Sequence, residues 1–267
     1  MLEKLTLDGK VAVVTGGGGG LGTAISLALA EAGADIIVTD FRPKDGESAA
    51  AEVVGLGRRA VFIAADVTKS EEVNSMMARA LSQWGKVDIL VNCAGIVREE
   101  SGDRAGKPFW EITDQEWHLG IDTNLTGAFF CSRAVAKHMV ERKGGKIINI
   151  ASGFGLRGLR GGFMYCTAKA GVILLTMSLA LSLGREGIRI NAIAPGLFRT
   201  WQSKEMYDTR DPFIPVGRVG YPREIGALAV YLASDASDYV TGEVFAIDGG
   251  TLAGGSAPTG YAPVIPI

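Results

Sequence analysis

Short apolar runs rich in β-branched residues alternate along the chain with longer stretches of helical periodicity. The runs are VAVVT at 11–15, DIIVTD at 35–40, AVFIAAD at 60–66, VDILVN at 87–92, KIINIAS at 146–152, IRINAIA at 188–194 and VFAID at 244–248. Strands this continuously apolar are covered on both faces. Their alternation with helices implies right-handed βαβ units and a parallel sheet. Between 68 and 85, Val73, Met76, Met77, Ala80, Leu81 and Trp84 fall on one helical stripe, and Thr68 with Glu71 predicts a capping box at its start.

Seven strands with a glycine-rich turn after the first favour an α/β fold of Rossmann type over a barrel. The expected form is a doubly wound open sheet of about seven parallel strands with helices on both faces. Its ligand is expected at the strands' C-terminal ends. Residues 1–253 read as a single dinucleotide-binding and catalytic domain, because neither a linker nor a repeat divides them. In the tail, 254–267, prolines and glycines exclude a helix and predict an extended arm, frayed or docked on a neighbouring subunit.

Composition narrows the function. With 47% hydrophobic and 21% charged residues and a net charge of −2, the 267-residue chain reads as globular. Its 27 basic residues are interleaved with 29 acidic ones, which argues against a nucleic-acid partner. The N-terminus carries no apolar run suited to a signal peptide, and no run of about 18 apolar residues is seen. A soluble cytoplasmic protein with no membrane partner is therefore expected. Cys93, Cys131 and Cys166 fit reduced core thiols, and His118 and His138 lack ligand-spaced neighbours, so no metal site is expected.

Chemistry concentrates after the first strand. In TGGGGGLG, Gly16, Gly20 and Gly22 give the spacing GxxxGxG before an apolar helix starting near Leu21. Glycines there allow a tight turn and close approach of backbone to a pyrophosphate at the helix N-terminus. Asp40 ends the second strand 18 residues after Gly22, near the roughly 20-residue offset at which an acid meets the adenosine ribose. A carboxylate there repels a 2′-phosphate, so NAD is expected over NADP, although Arg42 could accommodate that phosphate.

Tyr165 and Lys169, spaced i, i+4, share one helical face, preceded by Ser152 at the end of KIINIAS and by Asn124 in DTNLTG. Four polar residues of these types in this order resemble the active site of the classical short-chain dehydrogenases/reductases. The resemblance runs from TGGGGGLG through Asp66, the NCAG segment (92–95), PGLFRT (195–200) and GRVGYPREIG to YVTGEVFAIDGG. Cys93 stands where the family commonly has a second asparagine, a departure expected to affect strand packing more than chemistry.

The resemblance implies an NAD-dependent oxidoreductase moving a hydride between a nicotinamide and a secondary alcohol or ketone. Tyr165 would be the acid-base group, Ser152 would bind the substrate oxygen, Lys169 would also bind the nicotinamide ribose, and Asn124 would hold a relay water. A tyrosine with a pKa of about 10 needs a cation to act near neutrality. An ammonium about 4 Å away would favour the phenolate by roughly 4 kcal/mol at an effective dielectric near 20, a role expected of Lys169 aided by the oxidised nicotinamide. By the same resemblance, Asn92, Ala94 and Gly95 would line the adenosine and ribose side, Asp66 and Val67 the adenine, and Pro195, Gly196 and Thr200 the carboxamide.

Arg157, Arg160 and Arg199 near this site suggest a small-molecule substrate that is a polyol, a sugar acid or another anionic hydroxy compound. Residues 197–216, with Trp201, Met206, Tyr207 and Phe213, read as a lid. An NADP-dependent 3-oxoacyl carrier-protein reductase is the runner-up, and a catalytically silent NAD-binding regulator is the alternative from another class. A dehydratase or epimerase would need a substrate domain for which the chain has no room. Helices at 124–143 and after Tyr165 carry apolar residues on more than one face, and with the family resemblance this implies a homotetramer.

Overall fold

The computed structural model describes residues 2–96, 108–200, 208 and 210–254. Seven strands form one parallel sheet: β1 (Val11–Thr15), β2 (Asp35–Asp40), β3 (Ala60–Ala64), β4 (Ile89–Asn92), β5 (Gly145–Ile150), β6 (Ile188–Pro195) and β7 (Val244–Ile247). Their spatial order is β3-β2-β1-β4-β5-β6-β7. The order reverses between β1 and β4, where Thr15 pairs with Asn92 and opens the crevice characteristic of doubly wound sheets. The expected fold is therefore present.

Both faces are covered, which is why the strands lack polar alternation. Ala12, Val14, Ile36 and Val38 pack with Ile25, Leu29, Val53, Ile225 and Leu232. These come from α1 (Gly20–Glu31), α2 (Pro43–Gly55) and α7 (Pro222–Ala233). Val11, Val13, Ile37 and Ile63 face the other way, against Val73, Met76, Met77, Cys131, Val135 and Met139, from α3 (Ser70–Trp84) and α5 (Gly127–Glu141). Two further helices complete the frame of the site, the short α4 (Asp114–Ile121) and the long α6 (Phe163–Leu183).

Two local expectations need correction. Helix α3 begins at Ser70 with Lys69 as its N-cap and no capping side chain. Thr68 instead gives its amide and hydroxyl to Asp66 Oδ1, at 3.0 and 2.8 Å, and Glu72 rather than Glu71 reaches back to the Asp66 amide at 2.9 Å. A local aspartate turn thus replaces the capping box. The helix around Asn124 is not uniformly α: residues Asp122–Thr126 form a π-helical turn between α4 and α5.

Helix α6 keeps to the expectation of no unbroken apolar run, yet is apolar on average. With the turn after it, residues Phe163–Glu186 are long and apolar enough by composition to cross a membrane. Hydroxyl residues and Lys169 interrupt the run and hide it from a search for consecutive apolar residues. Here Met164, Ala168, Val172, Ile173, Thr176 and Ala180 are buried in the fold.

Candidate active site

Strand ends and helix starts build the site. Gly16 leaves β1 with φ +62°, and a Cβ on it would lie 2.7 Å from the Ala94 Cα. A Cβ on Gly22 would collide with the Gly16 carbonyl oxygen, and one on Gly20 would lie 2.9 Å from the Thr200 side chain. Only glycine permits this turn. Gly19 caps α1 without a side-chain hydrogen bond, which leaves the first-turn amides for an anion. Leu21 packs partly buried on the core below.

Asp40 is buried at the end of β2. Its Oδ2 accepts the Gly18 amide at 3.1 Å and its Oδ1 the Arg42 amide at 3.0 Å, so this carboxylate is tied directly to the glycine loop. On the other side, Cys93 and Ala94 donate their amides to Thr15 Oγ1, both at 3.2 Å. The Asn92 side chain turns inward, donating to Asn149 Oδ1 at 2.8 Å and Ser132 Oγ at 3.0 Å. Val67 is buried, close against Gly127 at the start of α5. Gly196 donates its amide to Ile247 at 2.9 Å, which holds Pro195 and Gly196 at the end of β6.

The four residues implied as catalytic converge. Ser152, buried at the exit of β5, accepts the Phe154 amide at 3.1 Å and is hydrogen-bonded to the Tyr165 hydroxyl. One helical turn on, the Lys169 Nζ donates to the Ile150 carbonyl at 2.9 Å and lies 5.8 Å from the Tyr165 ring centroid. Asn124 reaches in from the π-helical turn, its Nδ2 donating to the carbonyls of Ile96 and Gly120 at 3.0 Å each. Its Oδ1 is buried with no hydrogen-bond partner among the described residues. A Cβ on Gly95 would sit 2.7 Å from that oxygen and 3.3 Å from Lys169 Nζ, so one small gap borders both.

The electrostatics differ from expectation in one respect. Burial pushes the Tyr165 phenol above its ordinary value, and the Ser152 hydrogen bond only partly offsets this. The Lys169 Nζ donates to the Ile150 carbonyl and stands over the Tyr165 ring. Burial also lowers Lys169 to about 8. Burial pushes the nearby Cys93 thiol up to about 11, so it is neutral where Lys169 titrates.

The arginines do not converge as a group. Arg199 pairs with Asp211 at 3.0 Å and lies 5.5 Å from the Tyr221 ring centroid. Arg160 is exposed. Arg157 is partly buried, 5.2 Å from the Phe154 ring centroid, with its Nε buried and lacking a hydrogen-bond partner among the described residues. Of the expected lid, residues 201–207 and 209, with Trp201, Met206 and Tyr207, lie outside the described residues, as do 255–267 of the tail. Leu252 was missed by the sequence reading: a Cβ on Gly153 would lie 3.7 Å from it, which places the residues after β7 beside Ser152.

The glycine turn and uncapped helix suit a dinucleotide pyrophosphate, and the hydroxyl pair above a buried lysine suits proton transfer at a carbinol. Together they define a nicotinamide-dependent dehydrogenase or reductase. The family model described as enoyl-(acyl carrier protein) reductase matches residues 17–251. The chain is 37% identical to a 3-oxoacyl-(acyl-carrier-protein) reductase from Synechocystis, over 92% of this chain and 98% of that protein. It is 38% identical to the 2-dehydro-3-deoxy-D-gluconate 5-dehydrogenase of Escherichia coli, over 95% and 99%. A short-chain type dehydrogenase/reductase from Mycobacterium marinum superposes with a TM-score of 0.86 at 36% identity, over 93% and 98% of the two chains. The chain belongs to the classical short-chain dehydrogenase/reductase family and is an oxidoreductase acting on CH–OH groups.

Proposed function

We propose that the protein is an NAD-dependent secondary-alcohol dehydrogenase whose substrate is a hydroxy acid of the sugar-acid type. The observation that carries the reaction is the Ser152 to Tyr165 hydroxyl pair beside Lys169 and Asn124. Tyr165 Oη takes the carbinol proton during oxidation, and Ser152 Oγ holds the substrate oxygen for it. Lys169 positions the nicotinamide ribose and lends positive charge, while Asn124 orders the proton path through its Oδ1. A bound oxidised nicotinamide would supply the hydride acceptor and a positive charge that favours a Tyr165 phenolate.

Asp40 supports NAD over NADP, because a buried carboxylate fixed on the glycine loop meets a ribose hydroxyl as an acceptor and a 2′-phosphate as a like charge. The uncommitted Arg157 Nε supports an anionic substrate, as does similarity to a dehydrogenase named for a sugar acid. Exposed Phe129 on α5 and Leu174, Met177 and Leu181 on α6 support a homotetramer. The three free cysteines are consistent with a cytoplasmic location.

The test is a panel of sugar acids, polyols, hydroxysteroids and secondary alcohols with NAD and with NADP, monitored at the reduced-nicotinamide band. Turnover with sugar acids and NAD, with KM raised for those acids by Arg157→Ala, supports the reading. Reduction of acetoacetyl-acyl carrier protein with NADPH, with sugar acids inert, would replace it by the carrier-protein reductase reading that the Synechocystis relative favours.

A further inference from the structure

The cation that could reverse the cofactor preference sits beside the discriminating carboxylate. Arg42 follows Asp40 by two residues and is half-exposed, with its Nε 3.5 Å from Asp40 Oδ1 and 3.2 Å from Asp45 Oδ2. Asp45 stands in the first turn of α2. That turn is pressed onto the glycine loop: a Cβ on Gly18 would lie 2.8 Å from the Asp45 carbonyl carbon and 2.9 Å from its Cβ. Gly18 in turn gives its amide to Asp40 Oδ2 at 3.1 Å. The Asp40 carboxylate thus binds this loop position while the turn that carries Asp45 packs against it, at the strand end where an adenosine ribose is read.

We infer that Asp45 is a second specificity-determining residue for the cofactor: it holds Arg42 against Asp40 and withholds that guanidinium from a 2′-phosphate. With its Nε facing both carboxylates, Arg42 has the Nε side of its guanidinium occupied, and a phosphate that takes that side must displace Asp45. Asp45 also adds a negative charge at the place a 2′-phosphate would enter. Both effects act in the same direction. The proposal rests on the reading of Asp40 as the ribose-binding acid.

The experiment measures Kd for NAD and NADP by titration calorimetry on the full chain. Adenosine 2′,5′-bisphosphate and 5′-AMP serve as probes of the adenosine end alone. Asp45→Asn should lower the ratio of the NADP to the NAD Kd by about tenfold or more, the scale of one charge-assisted contact. Asp45→Ser should do the same, which covers the case in which one variant folds poorly. Adding Arg42→Ala to Asp45→Asn should abolish most of the gain. A ratio within about twofold of the starting chain in both folded single variants overturns the role of Asp45, and a gain that survives the loss of Arg42 overturns the holding of Arg42. If the unsubstituted chain itself binds NADP more tightly than NAD, the Asp40 reading falls too, which separates the two failures.

Discussion

Lys169 Nζ donates a hydrogen bond to the Ile150 carbonyl at 2.9 Å, and so joins the catalytic helix to the last residue of β5. Ser152 follows two residues later on the same strand exit. The contact therefore sets where the lysine and the serine stand relative to each other, and Tyr165, one turn earlier on α6, is brought to the Ser152 hydroxyl. It also buries an ammonium beside a neutral acceptor, which is why Lys169 titrates at about 8.

That burial has a measurable cost. Lys169 loses its proton at about 8 in the folded chain and at its ordinary 10.5 when unfolded. Below pH 8 both states are protonated, and burial of the charge costs on the order of 3 kcal/mol. Between 8 and 10.5 the unfolded chain binds more protons, so stability rises with pH, and above 10.5 the penalty is gone. Lys169→Met removes this titration. Its stability relative to the unsubstituted chain should be greatest below pH 8 and decline by about that amount through the window. Urea denaturation across this range measures it, and a flat difference would sink the assignment.

Tyr165→Phe should lower turnover by about a thousandfold, the range of a lost acid-base group, while retaining NAD binding by calorimetry. Ser152→Ala should act differently. It removes the hydrogen bond that offsets the burial of Tyr165, so the rise of kcat with pH should move to higher pH. A rising limb that stays in place would show that Ser152 does not tune Tyr165.

The parts of the molecule that were legible in the sequence are those set by short-range repetition. Strands β1 and β2 were read to the residue, because Val11–Thr15 and Asp35–Asp40 are buried along their whole length. Tyr165 and Lys169 were legible because i, i+4 spacing fixes a shared helix face. What escaped depends on competition or on distant partners. Asp66 outbids Thr68 for the role of local acceptor. The π-helical turn is stabilised by Asn124 reaching the Ile96 carbonyl, 28 residues away in sequence. Arg199 is drawn to Asp211, and Lys169 to the Ile150 carbonyl, by packing that spacing alone does not encode.

Gly22→Ala should separate the cofactor turn from the rest of the fold. Its Cβ would collide with the Gly16 carbonyl oxygen, which has no flexible side chain to give way, so the turn must shift. The expected loss of stability is about 1–3 kcal/mol by analogy with overpacked cores. NAD should then no longer raise the melting temperature. A variant that keeps the NAD-dependent shift would mean that the pyrophosphate lies elsewhere.

Asn124→Ala tests whether one side chain both builds the π-helical turn and serves the proton path. Its Nδ2 satisfies the carbonyls of Ile96 and Gly120, while its Oδ1 faces the gap beside Gly95 and Lys169. Truncation leaves two acceptors in need of new donors, so stability should fall by about 2 kcal/mol. Turnover should fall by at least about tenfold beyond any loss of folded protein. Asn124→Asp separates the roles: it keeps an oxygen toward Lys169 but has no amide for the two carbonyls, and its charge should raise the Lys169 pKa above 8. Denaturation curves should therefore show both variants destabilised. The Lys169-linked rise in stability should begin at higher pH only in the aspartate. If both variants unfold at the same urea midpoint as the unsubstituted chain, Asn124 does not hold the turn together.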